Sequence, residues 1–254
     1  MKNVLFYISI CLMVVFTACE TTQEITVNNN GSGVVKNTVD MSSAIGMIKQ
    51  FAPQDTSGQK LKVDTSIALA NVADSFTTLK ADEKALVKKG NWSIKVNGEE
   101  EKFISVLEFP FERTNQINSI NNALMEMIQT KLMDQMTKSG APLPPGMDDK
   151  GKPGEQSSID DYFDFKVERG KIEKKLRKEK YAKVDSDQTL MGLKNASGMG
   201  ASVKYNYIIN LPAAAKKVEG KSVKLSDDKK KVTIAVTSDD FFDDPSKFEY
   251  KVEY

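Results

Sequence analysis

Apolar and polar residues alternate along most of this chain in short runs separated by turn residues. Glu24-Ile25-Thr26-Val27 alternates, Asn28 to Gly33 is rich in Asn and Gly, and Val34 to Val39 alternates again. Two such runs around an Asn/Gly turn predict a β-hairpin. Trp92 to Val96 and Phe103 to Phe111 repeat the pattern around Asn97-Gly98, with Pro110 marking an edge or a strand end. Tyr162 to Val167, the Arg169-Gly170 turn and Lys171 to Lys178 predict a third hairpin; Ile172 and Leu176, four apart, leave a helix open for the last run. Ser202 to Leu211 is a long strand stopped by Pro212. Ser222 to Leu225 and Lys231 to Thr237 flank the turn Ser226 to Lys229, and Phe248 to Tyr254 is a final strand.

Helical spacing is rarer. Ile117, Ile120, Leu124, Met127/Ile128 and Leu132 recur every three to four positions, so Thr114 to Met136 predicts the longest helix, with one apolar face. Shorter helices are expected from Asp40 or Ser42 to Phe51, over Ile67 to Lys89 up to Gly90, and from a cap at Asp185 to Gly198. Residues 139–158 carry four prolines and four glycines and predict a flexible loop. Hairpins with helices between them define an α+β class. The expected architecture is a mostly antiparallel sheet of about eight strands, built from hairpins and packed by one long and several short helices.

The first residues follow neither pattern. After Lys2, Val4 to Phe16 is apolar apart from Ser9. The run is too short to span about 30 Å of hydrocarbon as a helix. A basic start, a short apolar core and small residues (Thr17, Ala18) predict a secretory signal peptide over residues 1–18. Residues 19–254 are then expected to form a single α+β domain. Cys11 falls inside the leader, leaving Cys19 as the one cysteine beyond it, and a single thiol excludes a disulfide within the chain.

Phe16-Thr17-Ala18-Cys19 resembles the lipobox of bacterial lipoproteins, with Phe16 where Leu, Val or Ile is usual. The resemblance implies acylation of the Cys19 thiol after cleavage. Attached acyl chains would hold the protein at a membrane surface. With only a few residues between Cys19 and the first alternating run, about 13 Å when extended, the domain is expected to sit close to the bilayer. The segments ITVNNNGSG and INLPAAAKKVEG, with the VKLSDDKKKVTI run after it, resemble uncharacterised bacterial envelope lipoproteins, those of Bacteroidota and the LppM-like group. Those families bring no catalytic residues to carry over. The resemblance implies a lipid-anchored envelope protein at the outer membrane, with the membrane face left open.

Composition narrows the chemistry. Lys and Arg number 36 against 35 Asp and Glu, and Lys2 lies in the leader, so the balance is even and gives no argument for nucleic acid. Histidine is absent, which removes the usual general base and the commonest metal ligand. Ser57-Gly58-Gln59-Lys60, Ser119-Ile120-Asn121 and Lys138-Ser139-Gly140 reproduce in order the short motifs of penicillin-binding enzymes. That chemistry needs Ser57 at the start of a buried helix with Lys60 as base. Ser57 instead sits in a Gly/Pro loop before Leu61-Lys62-Val63, and no catalytic residue is assigned.

Met125, Met127, Met133 and Met136 cluster on the long helix, with Met147, Met191 and Met199 elsewhere. Thioethers can bind Cu(I), but these positions largely continue the apolar stripe and are expected to pack in a core or line a groove. Asp239 to Asp244 and Asp160-Asp161 lack the alternating glycine-bearing loop of a Ca²⁺ site. They are expected to form capped turns, the former burying Phe241 or Phe242. Gly198-Met199-Gly200 lacks the third glycine of a dinucleotide site. Lys171 to Lys183 holds seven cations around Glu173 and Glu179, expected as a solvated face or as one lying against anionic headgroups.

The sequence therefore predicts a non-catalytic binding or structural module held at the envelope membrane by lipid on Cys19, with no cofactor, no metal and no nucleic acid. An envelope protein is one candidate partner. The alternative is a carrier of a lipid or other apolar ligand in a groove lined by Leu124, Met127, Ile128 and Met136.

Overall fold

The computed structural model describes residues 19–43, 62–71, 73–76, 79–127, 157–198 and 200–254. Among these residues twelve strands form two sheets. The N-terminal hairpin is β1 (Cys19–Val27) and β2 (Gly33–Asp40). Its turn closes through Asn28 N–H to Ser32 O at 2.7 Å and Gly31 N–H to Asn28 O at 2.9 Å, with Gly31 at φ 84°. Gly33 is required by contact: a Cβ there would lie 1.8 Å from Thr26 O and 2.5 Å from the Phe111 ring.

Next come β3 (Lys62–Ala68), β4 (Asn91–Asn97) and β5 (Lys102–Phe111), then β6 (Phe163–Glu168), β7 (Lys171–Leu176) and β8 (Val203–Asn210). The last four are β9 (Lys217–Glu219), β10 (Val223–Leu225), β11 (Lys231–Thr237) and β12 (Tyr250–Glu253). The large sheet has the order β10-β11-β8-β1-β2-β5-β4-β3, and the small one β6-β7-β12-β9. Within the large sheet β1 and β8 are parallel, Cys19 opposite Val203, and the other pairs are antiparallel. The class is α+β with mostly antiparallel pairing, as the hairpin pattern predicts.

Five α-helices complete the described fold: α1 (Ala81–Val87), α2 (Gln116–Met127), α3 (Lys178–Tyr181), α4 (Gln188–Gly198) and α5 (Ser238–Asp243). Alternation turns the odd residues of β1 toward the core, where Ile25 and Val27 are buried with Val35, Leu107, Phe109, Phe111 and Ile209. α2 adds Ile117, Ile120 and Leu124, all buried, to this core. The small sheet joins it through aromatic rings: Phe163 stacks on Phe248 at 5.6 Å, and Tyr207 of β8 meets Tyr250 of β12 at 6.3 Å.

Several sequence expectations change. The large sheet has eight strands, but the Tyr162–Lys178 hairpin and the C-terminal strand build the small sheet instead. Lys171 to Leu176 is a strand, which closes the helix option. Ile67 belongs to β3 opposite Trp92, so the helix expected over Ile67 to Lys89 is reduced to two short 3-10 turns and α1. Val63, Thr65 and Ile67 alternate, and pairing with β4 outweighs the helical spacing beyond them. Pro110 lies opposite Val34 of β2 and past Glu108, the last β5 residue that pairs with β4, as a strand-end proline should. α4 is capped by Asp187 and not Asp185: Leu190 N–H donates to Asp187 Oδ1 at 3.2 Å. The helix expected from Asp40 or Ser42 lies outside the described residues after 43, as do the long helix beyond Met127 and residues 139–156 of the Pro/Gly loop.

Candidate functional site

The residue singled out by sequence is Cys19, and the structure places it inside the sheet. It is the first residue of β1, paired with Val203 of β8. Glu20 pairs with Asp40, which carries β2 up to the same end. No spacer separates the cysteine from the fold, so the short tether expected before Glu24 is itself strand. Thr and Gln carry no apolar signal and give residues 20–23 the look of a tether, yet Gln23 Nε2 donates to Asn37 Oδ1 at 3.3 Å and to Asn121 Oδ1 of α2 at 3.2 Å. Burial, with the Asp40 carboxylate adding to it, holds the Cys19 thiol above its ordinary pKa, so it is a poor nucleophile.

The same end of the molecule gathers α3, α4 and α5. Ser238, fully buried at the start of α5, accepts from Val203 N–H at 3.0 Å and lies 3.2 Å from Ser202 Oγ and 3.3 Å from Ser197 Oγ. Ser197, near the end of α4, donates to the Asp239 carboxylate. α5 is the capped turn expected of Asp239 to Asp244: Thr237 N–H donates to Asp240 Oδ2 at 2.8 Å, Asp240 N–H to Thr237 Oγ1 at 3.3 Å, and Phe241 is buried. Tyr181 of α3 donates to Phe241 O at 2.9 Å, and the Lys194 ammonium of α4 lies 5.5 Å from the Phe242 ring.

Between the sheets lies a polar group that the sequence did not announce. Lys174 of β7 is 4% exposed, and its Nζ donates to Asp160 Oδ1 at 2.5 Å. The ammonium sits 3.8 Å from the Tyr207 ring centre, 5.0 Å from Phe163 and 5.6 Å from Phe248. Tyr207 OH donates to the same Asp160 oxygen at 2.9 Å. Burial pulls the Lys174 pKa down against the opposing pull of Asp160, and burial with the Asp160 charge pushes Tyr207 well up. Lys174 thus leaves the solvated face expected of Lys171 to Lys183. The alternation Ile172, Lys174, Leu176 was the one legible sign, since it puts Lys174 on the apolar side of its strand. Asp161 makes the capped turn expected of the pair, accepting from Ser158 N–H at 2.7 Å, while Asp160 is turned inward to Lys174.

The other sequence candidates are placed as follows. Leu124 is part of the packed core; the Met127 side chain, Ile128 and Met136 lie outside the described residues, so the four are not seen together. Ser57, Lys60 and Lys138 also lie outside them. Of Ser119-Ile120-Asn121, Ile120 is buried and Asn121 is engaged by Gln23. Among the described residues no group of three or more His, Cys, Asp or Glu side chains is placed to hold a metal, and no helix is long and apolar enough to cross a membrane.

No protein-family model and no curated protein matches the chain. Among solved structures, the NMR structure of the folded domain of LppM from Mycobacterium tuberculosis is similar, with a TM-score of 0.38 at 7% identity, over 94% of this chain and 91% of that one.

Proposed function

We propose that this chain is a lipid-anchored cell-envelope protein, acylated on Cys19, whose α+β domain is a non-catalytic binding or structural module at the membrane surface. The observation that carries the reading is the place of Cys19 in β1. The thiol that follows the export-type leader is the first residue of a central strand, locked between β2 and β8. A lipid on that sulfur would fix one end of the large sheet against the bilayer with no spacer, a geometry suited to action at the surface and unsuited to reach across a compartment. The outer membrane of the envelope is the address in this reading.

The test is fractionation of cells expressing the Cys19→Ala chain, with mass measurement of the N-terminal peptide of the unaltered chain. Expected are release from membranes in the variant and a mass increment of attached acyl groups on Cys19. Unchanged fractionation together with an unmodified peptide would end the proposal.

A further inference from the structure

Lys178, Lys180 and Lys183 stand some 160 positions from Cys19 in sequence, yet the fold brings their helix to the end of the large sheet where Cys19 begins. The path is short and made of named contacts. Cys19 pairs with Val203; Val203 N–H is held by Ser238 Oγ at 3.0 Å; Ser238 opens α5; and α5 accepts the Tyr181 hydroxyl of α3 at Phe241 O, 2.9 Å. Two strand spacings, about 10 Å, separate Cys19 from the start of α5. On α3 and the loop after it Lys178, Lys180 and Lys183 are exposed, and α4 adds Lys194 beside Phe242.

Part of the local charge is already satisfied. Arg177 pairs with Asp164 at 2.7 Å, Lys194 with Asp185 at 3.6 Å and Lys221 with Asp244 at 2.9 Å, and Glu179, Asp239 and Asp243 are exposed nearby, Asp243 acting on Tyr181 of α3. Lys178 and Lys183 have no ion pair among the described residues, and the Lys180 ammonium rests 4.8 Å from the Tyr162 ring centre. Lys178 and Lys183 are thus exposed without an ion pair among the described residues, on the side of α5 that β8 joins to Cys19. The other lysine-rich stretch, Lys229 to Lys231, lies at the opposite end of the sheet: Lys231 pairs with Asn210, seven residues or about 23 Å along β8 from Val203.

We propose that the α3 surface, with Lys178, Lys180 and Lys183, docks on the anionic headgroups of the bilayer that holds Cys19, and so sets the tilt of the domain on its anchor. The proposal rests on the anchored reading above for its geometry. Each lysine near an anionic surface adds a small attraction that acts within a Debye length, so only residues held close to the bilayer gain from it. Three adjacent cations close to a fixed anchor meet that condition; Lys229 to Lys231 do not.

The experiment uses the full, processed chain reconstituted in vesicles of phosphatidylcholine alone or with phosphatidylglycerol added. Lysines are acetylated briefly and each site is read by mass spectrometry. Lys178, Lys180 and Lys183 are expected to label at least about threefold more slowly on the anionic vesicles. Lys229 and Lys230 should label alike on both, and added salt should erase the difference. Equal labelling of the α3 lysines on the two vesicles, or the same protection at Lys229 and Lys230, would overturn the proposal. Flotation of the Cys19→Ala chain separates the two readings. If it floats with both vesicle types, the anchor reading fails, and the α3 labelling ratio still decides the headgroup contact.

Discussion

Lys174 donates to Asp160 in the gap between the two sheets, at 2.5 Å, with the ammonium walled in by Tyr207, Phe163 and Phe248. A charge so placed costs desolvation, and its partner and the ring faces offset that cost. Lys174 stands on β7 and Tyr207 on β8, so the pair and its shared hydroxyl tie the small sheet to the large one in one register. Removing one partner is therefore worse than removing the charge. Asp160→Asn should destabilise the fold by about 3 kcal/mol, because it leaves a buried ammonium without its counter-charge. Lys174→Met, which keeps the length and apolar body of the side chain, should cost clearly less. Denaturant midpoints of the two variants check the order; an Asp160→Asn protein as stable as the parent would show that the pair does not hold the sheets.

All six tyrosines beyond residue 18 (162, 181, 205, 207, 250 and 254) are held above their ordinary pKa, with burial the largest cause in each. The folded state keeps these protons at a pH where the unfolded chain loses them. Stability is therefore full below the unfolded tyrosine pKa of about 10 and falls as pH rises through it. Lys174 has its folded pKa lowered and works in the opposite direction over the alkaline range, but it is one group against six. The expected result is a cooperative loss of structure above about pH 10, with tyrosinate absorbance appearing in the same step as the loss of far-ultraviolet signal. Gradual tyrosine ionisation in a chain that stays folded would contradict it.

Gly33 admits no side chain. Gly33→Ala would drive a methyl group into Thr26 O and the Phe111 ring, where the β1–β2 hairpin meets β5. Backbone must move to relieve the contact with the carbonyl, so the expected cost is about 2–3 kcal/mol. Thermal unfolding of the variant reads it directly. Gly31→Ala, with open space but a positive φ, should cost less, about 1 kcal/mol.

The reciprocal cap at α5 gives a local test near Cys19. Thr237→Val keeps the β-branched shape but removes the oxygen that accepts from Asp240 N–H at 3.3 Å and takes a hydrogen bond away from Asp240 Oδ2, 3.0 Å away. A loss of about 1 kcal/mol is expected. Hydrogen exchange should quicken at the α5 amides before it changes in β1 or β2; uniform quickening would mean that the cap supports the whole sheet.

Cys19 and the N-terminal hairpin show how far the sequence reaches. Alternation, Asn/Gly turns and helical spacing are local, so the hairpins at Ile25–Val35, Trp92–Phe109 and Val223–Ile234 were legible from residues a few positions apart, as were the α+β class, the α2 stripe and the Asp240 cap. The apolar run Val4 to Phe16 and the single cysteine after it depend on order along the chain and on no contact, so they are read from sequence alone.

Other facts depend on partners far away in sequence. That Glu20 to Gln23 is strand follows from its place between β2 and β8, some 180 residues on, whose hydrogen bonds hold it whatever its own propensity. That Lys174 is buried follows from Asp160, Tyr207 and Phe248 closing around it from a turn, a second sheet and a C-terminal loop. That α3 is joined through α5 to the end of β8 opposite Cys19 follows from Ser238 and Tyr181. Local pattern decides which elements can form, because it sets backbone preference and amphipathic faces. Long-range pairing decides where charges are desolvated and which ends meet, because those energies exist only once the sheets have closed.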